Sequence, residues 1–451
     1  MKLPAYPRYK SSGINWLGNI PEKWQVKRLK YSASINDETL PETTAADFEF
    51  SYVDIGGVDS IEGIKSIDVQ VFEGAPSRAR RVVREGDTIV STVRTYLRAI
   101  AAIAAPPKNL IVSTGFAVVR PRQIEPSFLG YALREFSFVE TLVSRSVGVS
   151  YPAVNASEVS TIPIPLPLAN EQRAIAGFLD RETGRLDRLI AKKRELVERL
   201  KEKRTALISH AVAGGLPLGA ALAVGLLENP PLKSSGLDWL GLIPSHWDVV
   251  KVKFVAAVES GHTPSRTNEE LWVDCTIPWV SLNDSKALRK RDYITDTHYQ
   301  ISELGIQHSS ARMLPARAVV FSRDATVGLC AITTRPMAVS QHFVAYLCGP
   351  RLLPEYLLFC LKAMGQELDS LSWGSTIPTI GMDDIGALRC PLPPFHEQQA
   401  IADYINRETA KLDSLVSKIE TAIERLREYR TALITAAVTG KIDVRNAVEI
   451  T

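Results

Sequence analysis

The chain predicts an α+β protein: two mixed α/β domains joined by two long helices, built as an internal tandem repeat that has pseudo-twofold symmetry if the helices run antiparallel. Three observations carry that expectation: a duplicated motif set, strand-like and turn-rich stretches in each half, and a heptad stripe closing each half. The segment Ser11–Ile35, SSGINWLGNIPEKWQVKRLKYSASI, returns at Ser234–Val258 as SSGLDWLGLIPSHWDVVKVKFVAAV. Trp16, Leu17, Gly18, Ile20, Pro21 and Trp24 recur as Trp239, Leu240, Gly241, Ile243, Pro244 and Trp247. Pro165-Leu-Pro with Glu171-Gln172 returns as Pro391-Leu-Pro with Glu397-Gln398, and Arg204-Thr-Ala-Leu-Ile208 returns as Arg430-Thr-Ala-Leu-Ile434. Trp16 and Trp239 lie 223 residues apart, Pro165 and Pro391 226. A whole unit has been duplicated, since solenoid repeats have periods of roughly 20–50 residues.

Each copy opens with a stretch rich in β-branched residues, Gly and Pro, over Tyr31–Leu168 and Phe254–Pro394. Alternation and turn signals predict strands at Asp87–Val93, after the Glu85-Gly86 turn, and at Ala318–Ser322, after Pro315. Ser113–Pro121 and Ser340–Tyr346 read as a matched later strand. Helical patterns follow at Ser127–Val143 and Pro354–Leu368.

Each copy then closes on a long helix. From Asn170 to Ala213 there is no Pro, and Gly is confined to Gly177 and Gly184. Leu179, Leu186, Lys193, Leu200 and Leu207 fall seven apart, interleaved with Thr183, Ile190, Val197, Arg204 and Ala211. The second copy repeats the stripe as Ile405, Leu412, Ile419, Leu426 and Leu433 with Thr409, Val416, Ile423, Arg430 and Ala437. About 43 residues of helix span roughly 64 Å. A lone amphipathic helix of that length leaves its stripe in water, whereas two matching helices bury each other as a coiled-coil rod. Run antiparallel, they would hold the two domains at opposite ends. The alternative is that each helix packs on its own domain as a surface helix. Arg204 and Arg430 sit at core-type positions and are expected to face acidic residues of the opposite helix or of a partner. The expected boundaries are a first domain at 1–168, a helix at 169–213, a linker at 214–233, a second domain at 234–394, a helix at 395–440 and a tail at 441–451.

Composition narrows the class. The 451 residues are 45% hydrophobic and 23% charged, with a net charge of +3. That is a globular balance, and the length argues for roughly two to four domains. A mildly basic charge permits nucleic-acid binding only if the basic residues gather on one face. Cys275, Cys330, Cys348, Cys360 and Cys390 all lie in the second half without a C-x-x-C pair, which reads as reduced thiols in the cytoplasm. Met1-Lys-Leu-Pro-Ala-Tyr-Pro has no apolar leader pattern. The most apolar run, Gly215–Leu227 with Pro217 inside it, falls short of the ~20 residues a membrane span needs and reads as linker or packing segment.

Catalytic motifs are missing. No phosphate loop, dinucleotide fingerprint, nucleophile elbow or metal-like histidine spacing is present. Asn229-Pro-Pro-Leu232 resembles an N-P-P-aromatic methyltransferase motif but has Leu for the aromatic and reads as a turn. Asp274 with Asp284-Ser-Lys286 loosely matches an acidic-and-lysine nuclease pattern that the first copy does not repeat.

What remains is binding. Candidate DNA contacts are Arg78, Arg80, Arg81, Arg94, Tyr96, Arg98 and Tyr151 in the first copy. In the second they are Thr263, Ser265, Arg266, Ser281, Asn283, Lys286, Ser322, Arg323, Thr326, Ser375 and Thr376. Arg reads guanine and Asn reads adenine by paired hydrogen bonds, while Lys, Ser and Thr position phosphates. The run Arg78–Arg84 is dense enough in like charge to suggest a neutralising anion. The candidate helix-pair interface is Leu179, Leu186, Ile190, Val197, Leu200, Arg204 and Leu207 against Ile405, Leu412, Val416, Ile419, Ile423, Leu426, Arg430 and Leu433.

The paired W-L-G-x-I-P-x-x-W, E-Q-x-A-I and R-T-A-L-I motifs resemble the specificity (S) subunit of type I restriction–modification systems. Ser260–Ser265, Ile277-Pro-Trp-Val280, Phe321–Gly328 and Gly374–Ile380 are similar to that family's target-recognition domain. The first copy keeps Ser113-Thr-Gly-Phe116 and Gly148-Val-Ser-Tyr-Pro152 but has Ile35-Asn-Asp in place of G-x-T-P-S. The resemblance covers nearly the whole chain. It implies two recognition domains, each binding one half of a split asymmetric double-stranded DNA target. It also implies a helix pair that sets the spacer and docks two methyltransferase (M) subunits, and restriction (R) subunits in the full complex. S-adenosylmethionine, ATP and Mg would then sit only on those partners, leaving this chain with no cofactor, no metal and no catalytic residue.

Overall fold

The computed structural model describes residues 3–59, 61–223, 230–374 and 377–447. The chain forms two compact units, residues 1–194 with 421–451, and residues 195–420. Their division falls inside both long helices rather than at the expected boundaries near 168 and 394. Each unit holds one mixed domain, the first half of the helix that follows it, and the last half of the other copy's helix.

In the first unit, strands β1 (Ala33–Ile35), β2 (Glu49–Val53), β3 (Asp68–Val71), β4 (Ala79–Val82), β5 (Thr88–Ser91), β6 (Ile100–Ala102), β7 (Leu110–Ser113) and β8 (Phe116–Pro121) form two sheets. Their orders are β6-β5-β8-β1 and β3-β2-β7-β4. The strand expected over Ser113–Pro121 is two strands in different sheets. The switch is at Gly115, where a Cβ would stand 2.7 Å from Ile55 Cδ1. Helices α1 (Pro126–Arg134) and α2 (Phe136–Ser144) replace the single expected helix. Glu135 breaks it by turning extended, at φ −65° and ψ 139°, and its carboxylate caps α2 by accepting from Phe138 N at 3.0 Å.

The second unit repeats the plan. Its strands are β9 (Ala256–Ser260), β10 (Ile277–Val280), β11 (Tyr293–Ile294), β12 (Tyr299–Ile301), β13 (Val319–Ser322), β14 (Cys330–Thr333), β15 (Ala338–Val339) and β16 (Phe343–Cys348). The sheet orders are β9-β16-β13-β14-β11 and β12-β10-β15. The register is conserved between copies: Ser91 pairs with Phe116 in the first and Ser322 with Phe343 in the second. Helices α4 (Pro354–Ala363) and α5 (Gly365–Leu371) again divide one expected helix.

Helices α3 (Ala169–Val212) and α6 (Phe395–Val438) match the expected pair within two residues at each end. The duplicated motifs are what anchor them. Trp24 Nε1 donates to Glu171 Oε2 at 2.7 Å in the first turn of α3, and Trp247 Nε1 donates to Glu397 Oε2 at 2.8 Å in the first turn of α6. Gln172 caps the turn before α3 by donating to Pro167 O and accepting from Glu125 N; Gln398 does the same with Pro393 O and Leu353 N. The same tryptophans seat the far ends of the other helices. Gly440, just past α6, has φ 72°, and a Cβ there would lie 2.4 Å from Pro21 Cδ and 3.2 Å from Trp24. Gly214, past α3, has φ 90° and the same relation to Pro244 and Trp247. Both are left-handed C-caps that only glycine supplies at that packing distance. Each motif therefore holds the start of its own helix and the end of the other, the order that antiparallel helices require.

The stripe is buried as a seam and as domain core at once. In the first unit, Ile175, Leu179 and Leu186 of α3 and Leu433, Ala437 and Val438 of α6 join Trp24, Phe128 and Phe138 in one core. In the second, Ile208, Ala211 and Val212 of α3 and Ile401 and Ile405 of α6 join Trp247, Phe321 and Tyr356. Burying each such side chain stabilises by about 1.5–3 kcal/mol. Ile190, Val197, Leu200, Ile419 and Ile423 are also buried, whereas Leu207, Leu412, Val416 and Leu426 are partly exposed. The two stripe arginines find carboxylates on the opposite helix: Arg430 Nε lies 2.9 Å from Asp187, and Arg204 Nε 3.1 Å from Asp413. In the linker, Leu218–Ala223 is a short helix; Asn229 of the N-P-P-L segment lies outside the described residues.

Candidate nucleic-acid interface

In each unit the same backbone device projects a hairpin tip beside the end of a central strand. After β5, Arg94 takes a left-handed conformation (φ 51°) and donates its N–H to Pro152 O at 2.8 Å. Val147 and Ala153 bridge beneath the tip, and Gly148 turns it at φ 117°. After β13, Ala325 is left-handed (φ 60°) and donates to Pro378 O at 2.9 Å; Trp373 and Thr379 bridge, and Gly374 turns at φ 103°. A Cβ on Gly374 would stand 2.5 Å from Ile377 O, so the turn demands glycine. A non-glycine residue at positive φ carries strain, and strain kept at one spot in both copies marks a constrained loop.

The tips share a backbone and differ in side chains. In the first unit Val147, Val149 and Tyr151 are exposed, and the Arg94 guanidinium lies 4.8 Å over the Tyr151 ring. That stacking holds a cation and an aromatic face together at the surface. In the second unit Trp373 (64% exposed) and Ile377 (57%) take the tip. Below them His342 Nδ1 pairs with Asp324 Oδ2 at 2.9 Å. Sequence reasoning passed over Val147, Val149, Trp373, Ile377 and His342. The paired Gly148/Gly374 and Pro152/Pro378 were the available signal.

The other sequence candidates scatter. Tyr96 is exposed on the turn after Arg94. Arg98 leaves the tip, ion-pairing with Glu140 at 2.5 Å and lying 5.8 Å from the Phe136 ring. Within Arg78–Arg84 the chain itself supplies carboxylates to two of the four arginines. Arg78 pairs with Asp54 at 2.8 Å, Arg84 with Glu38 at 2.8 Å, and Arg80 lies 4.5 Å over Phe72. Arg81 donates to Thr39 at 3.1 Å, and burial pulls its pKa down. Arg78 keeps more than half of its side chain exposed.

In the second unit the Gly261–Ser265 loop is stapled by two indoles. Trp279 Nε1 donates to His262 O at 3.2 Å and Trp272 Nε1 to Ser265 O at 3.0 Å, with their rings 5.7 Å apart. Gly261 sits against Ser340 O, 2.1 Å from where a Cβ would be. Thr263 donates to Gln341, Ser265 bonds Thr267, and Arg266 is exposed. Asn283 and Lys286 are exposed on the helical turns after β10. Two expectations need correcting. Ser281 is buried, its hydroxyl and N–H both donating to Asp284, and Ser322 is fully buried with its hydroxyl on Asp324 O; hairpin and cap geometry turn both inward. Arg323 is partly buried against Asp324, and Thr326 lies near Ser285 and Ser322. Ser375 and Thr376 lie outside the described residues. Asp284, part of the nuclease-like pattern, spends its carboxylate on Ser281 and on His298 N at 2.7 Å. Among the described residues no group of three or more His, Cys, Asp or Glu side chains could hold a metal ion.

With this geometry in place, comparison with known proteins is specific. The family model "Type I restriction modification DNA specificity domain" matches twice, over residues 21–199 and 244–425. The type I restriction enzyme MjaVIII specificity subunit of Methanocaldococcus jannaschii is 23% identical over 95% of this chain and 95% of its own. The HindI specificity subunit of Haemophilus influenzae is 21% identical over 68% of this chain and 77% of its own. Among solved structures, a chain from a study of type I R-M complex assembly and conformational transition superposes with a TM-score of 0.71 and 25% identity, covering 94% of this chain and 99% of that one. The HsdS subunit of Thermoanaerobacter tengcongensis superposes with a TM-score of 0.51 and 24% identity, covering 94% and 98%.

Proposed function

The chain belongs to the type I restriction–modification DNA-specificity family, and we propose that each of its units reads one half of a split DNA target through the hairpin tip and the strand-end loop beside it. DNA target recognition by two domains is the role of this family. One observation carries the finer reading: the same left-handed residue, proline carbonyl and glycine turn build both tips, while Arg94 with Tyr151 occupies one and Trp373 with Ile377 the other. A shared scaffold with unlike reading groups fits two unlike half-sites. Arg94 is placed to bond a guanine edge or a phosphate, and the exposed rings offer apolar contact to bases and thymine methyls. Arg78, Arg266, Asn283 and Lys286, all exposed, supply further backbone and base contacts.

The complex also contains methyltransferase and restriction subunits. We read this chain as its non-catalytic part, with two M subunits docked on the helix pair and S-adenosylmethionine, ATP and Mg bound by the partners. Leu189, exposed on the part of α3 that belongs to the first unit, suits such docking. No helix among the described residues is long and apolar enough to cross a membrane, and we place the complex in the cytoplasm with its DNA.

The test uses the assembled S–M complex and a target duplex at fixed salt. Arg94→Ala with Tyr151→Ala, and separately Trp373→Ala with Ile377→Ala, should each weaken target binding by about tenfold or more. Binding to random duplex should stay within a few fold. Unchanged target affinity in both variants would remove the tips from recognition.

A further inference from the structure

The two copies solve one electrostatic problem differently, and the difference leaves a site. In the second unit, Arg204 of α3 and Lys362 of α4 are both cations facing the same carboxylate. Asp292, just before β11, pairs with Lys362 and lies 3.7 Å from Arg204 Nη2. Asp413 completes the cluster on Arg204. Every cation there has an acidic partner.

In the first unit the matching cations are Arg430, at the same place in the R-T-A-L-I motif, and Arg134, eight residues after the proline that opens its helix, as Lys362 is after Pro354. Arg430 keeps its helix partner Asp187. Arg134 donates Nε to Gly130 O at 3.0 Å and lies 4.9 Å over the Tyr131 ring, but ion-pairs with no carboxylate among the described residues. The nearby acids are committed: Asp180 accepts from Tyr131 Oη at 2.8 Å, Asp187 holds Arg430, and Glu140 holds Arg98. Desolvation pulls the Arg134 pKa down and Arg430 adds to it, against the opposing influence of Tyr131, Asp180 and Asp187 nearby.

The element that carries Asp292 also differs between the copies. In the second unit β11 lies along β14, whereas in the first the Val58–Ile64 hairpin lies along the matching strand β6. From that segment Ile61, and no carboxylate among the described residues, lines the space beside Arg134 and Arg430. Between them is a cavity of about 160 Å³ lined by Arg98, Arg134, Arg430, Ile61, Phe136 and Ile434, among others. Arg98 and Arg430 already hold carboxylates, so Arg134 is the guanidinium there whose charge an anion would meet, and the apolar walls beside it suit a planar carboxylate with a short alkyl stem.

We propose that this cavity is a carboxylate-binding site, in which Arg134 receives from outside the chain the group that Asp292 supplies within the second unit. The carboxylate is either an Asp or Glu side chain of a docked protein or a free small acid. This assignment stands apart from the DNA-reading proposal and does not depend on it.

Full-length protein is melted in sodium acetate and in sodium chloride at matched ionic strength, as wild type, Arg134→Ala and Ile61→Glu. Acetate should raise the wild-type Tm saturably by about 2–4 °C over chloride. Arg134→Ala should lose the increment. Ile61→Glu, which installs the missing carboxylate, should melt higher than wild type in chloride and gain nothing from acetate. The same titration on the S–M complex separates the sources: an increment that vanishes on assembly identifies a partner side chain, and one that persists identifies a free acid. Equal wild-type melting in both salts, with no gain in Ile61→Glu, would overturn the site.

Discussion

At the scale of single residues, the deciding quantity is how much water a charge keeps. Arg430 and Arg204 fill equivalent places and face equivalent aspartates, yet the Arg430 side chain is 9% exposed and that of Arg204 26%. Asp187→Asn strands a buried guanidinium beside Arg134 and should cost about 1–3 kcal/mol. Asp413→Asn removes a partner that is itself more than half exposed, while Asp292 stays, and should cost under about 1 kcal/mol. Urea denaturation of the full chain measures both, and equal losses would mean that burial does not govern these pairs. The arginine positions were legible in the sequence because charges at heptad core positions are anomalous. The pairing of Arg78–Arg84 was not, because Asp54, Glu38, Phe72 and Thr39 are brought to that strand by long-range folding. Ser281 and Ser322 misled for a related reason. A serine beside loop residues looks available until its neighbour, Asp284 or the Asp324 carbonyl, claims the hydroxyl.

At the scale of elements, period was readable and interruption was not. The seven-residue stripe located α3 and α6 to within two residues, since a long apolar period has few alternatives. The helices expected at Ser127–Val143 and Pro354–Leu368 each broke in two, at Glu135 and Met364, where one residue's backbone turn redirects the chain without changing its apolar content. The sheet switch at Gly115 was hidden for the same reason. The alternative of surface helices packed on their own domains turned out to coexist with the paired seam, because each helix passes from one unit's core into the other's. This has a consequence for the spacer. Four residues inserted after Lys193 alone would slip the seam against an unaltered partner. Seven residues inserted after Lys193 and seven after Glu420 keep the heptad and add about 10 Å of helix. The methylated spacer should then grow by about 3 base pairs at 3.4 Å each. An unchanged spacer in a stable double-insertion protein would mean that the helix pair does not set it.

At the scale of the whole molecule, duplication supplies two frames and divergence supplies two readings. What the copies share is structural: the tryptophan–glutamate contacts, the glutamine caps, the C-cap glycines and the left-handed turn under each tip. What they do not share is the exposed chemistry of the tips. The most direct measurement is single-molecule sequencing of adenine methylation in cells that express this chain with its methyltransferase subunit. Two unlike tips on one duplicated frame predict one split motif of two unlike half-sites around an unread spacer. A continuous motif, two identical half-sites, or no methylation from a verified S–M complex would contradict it.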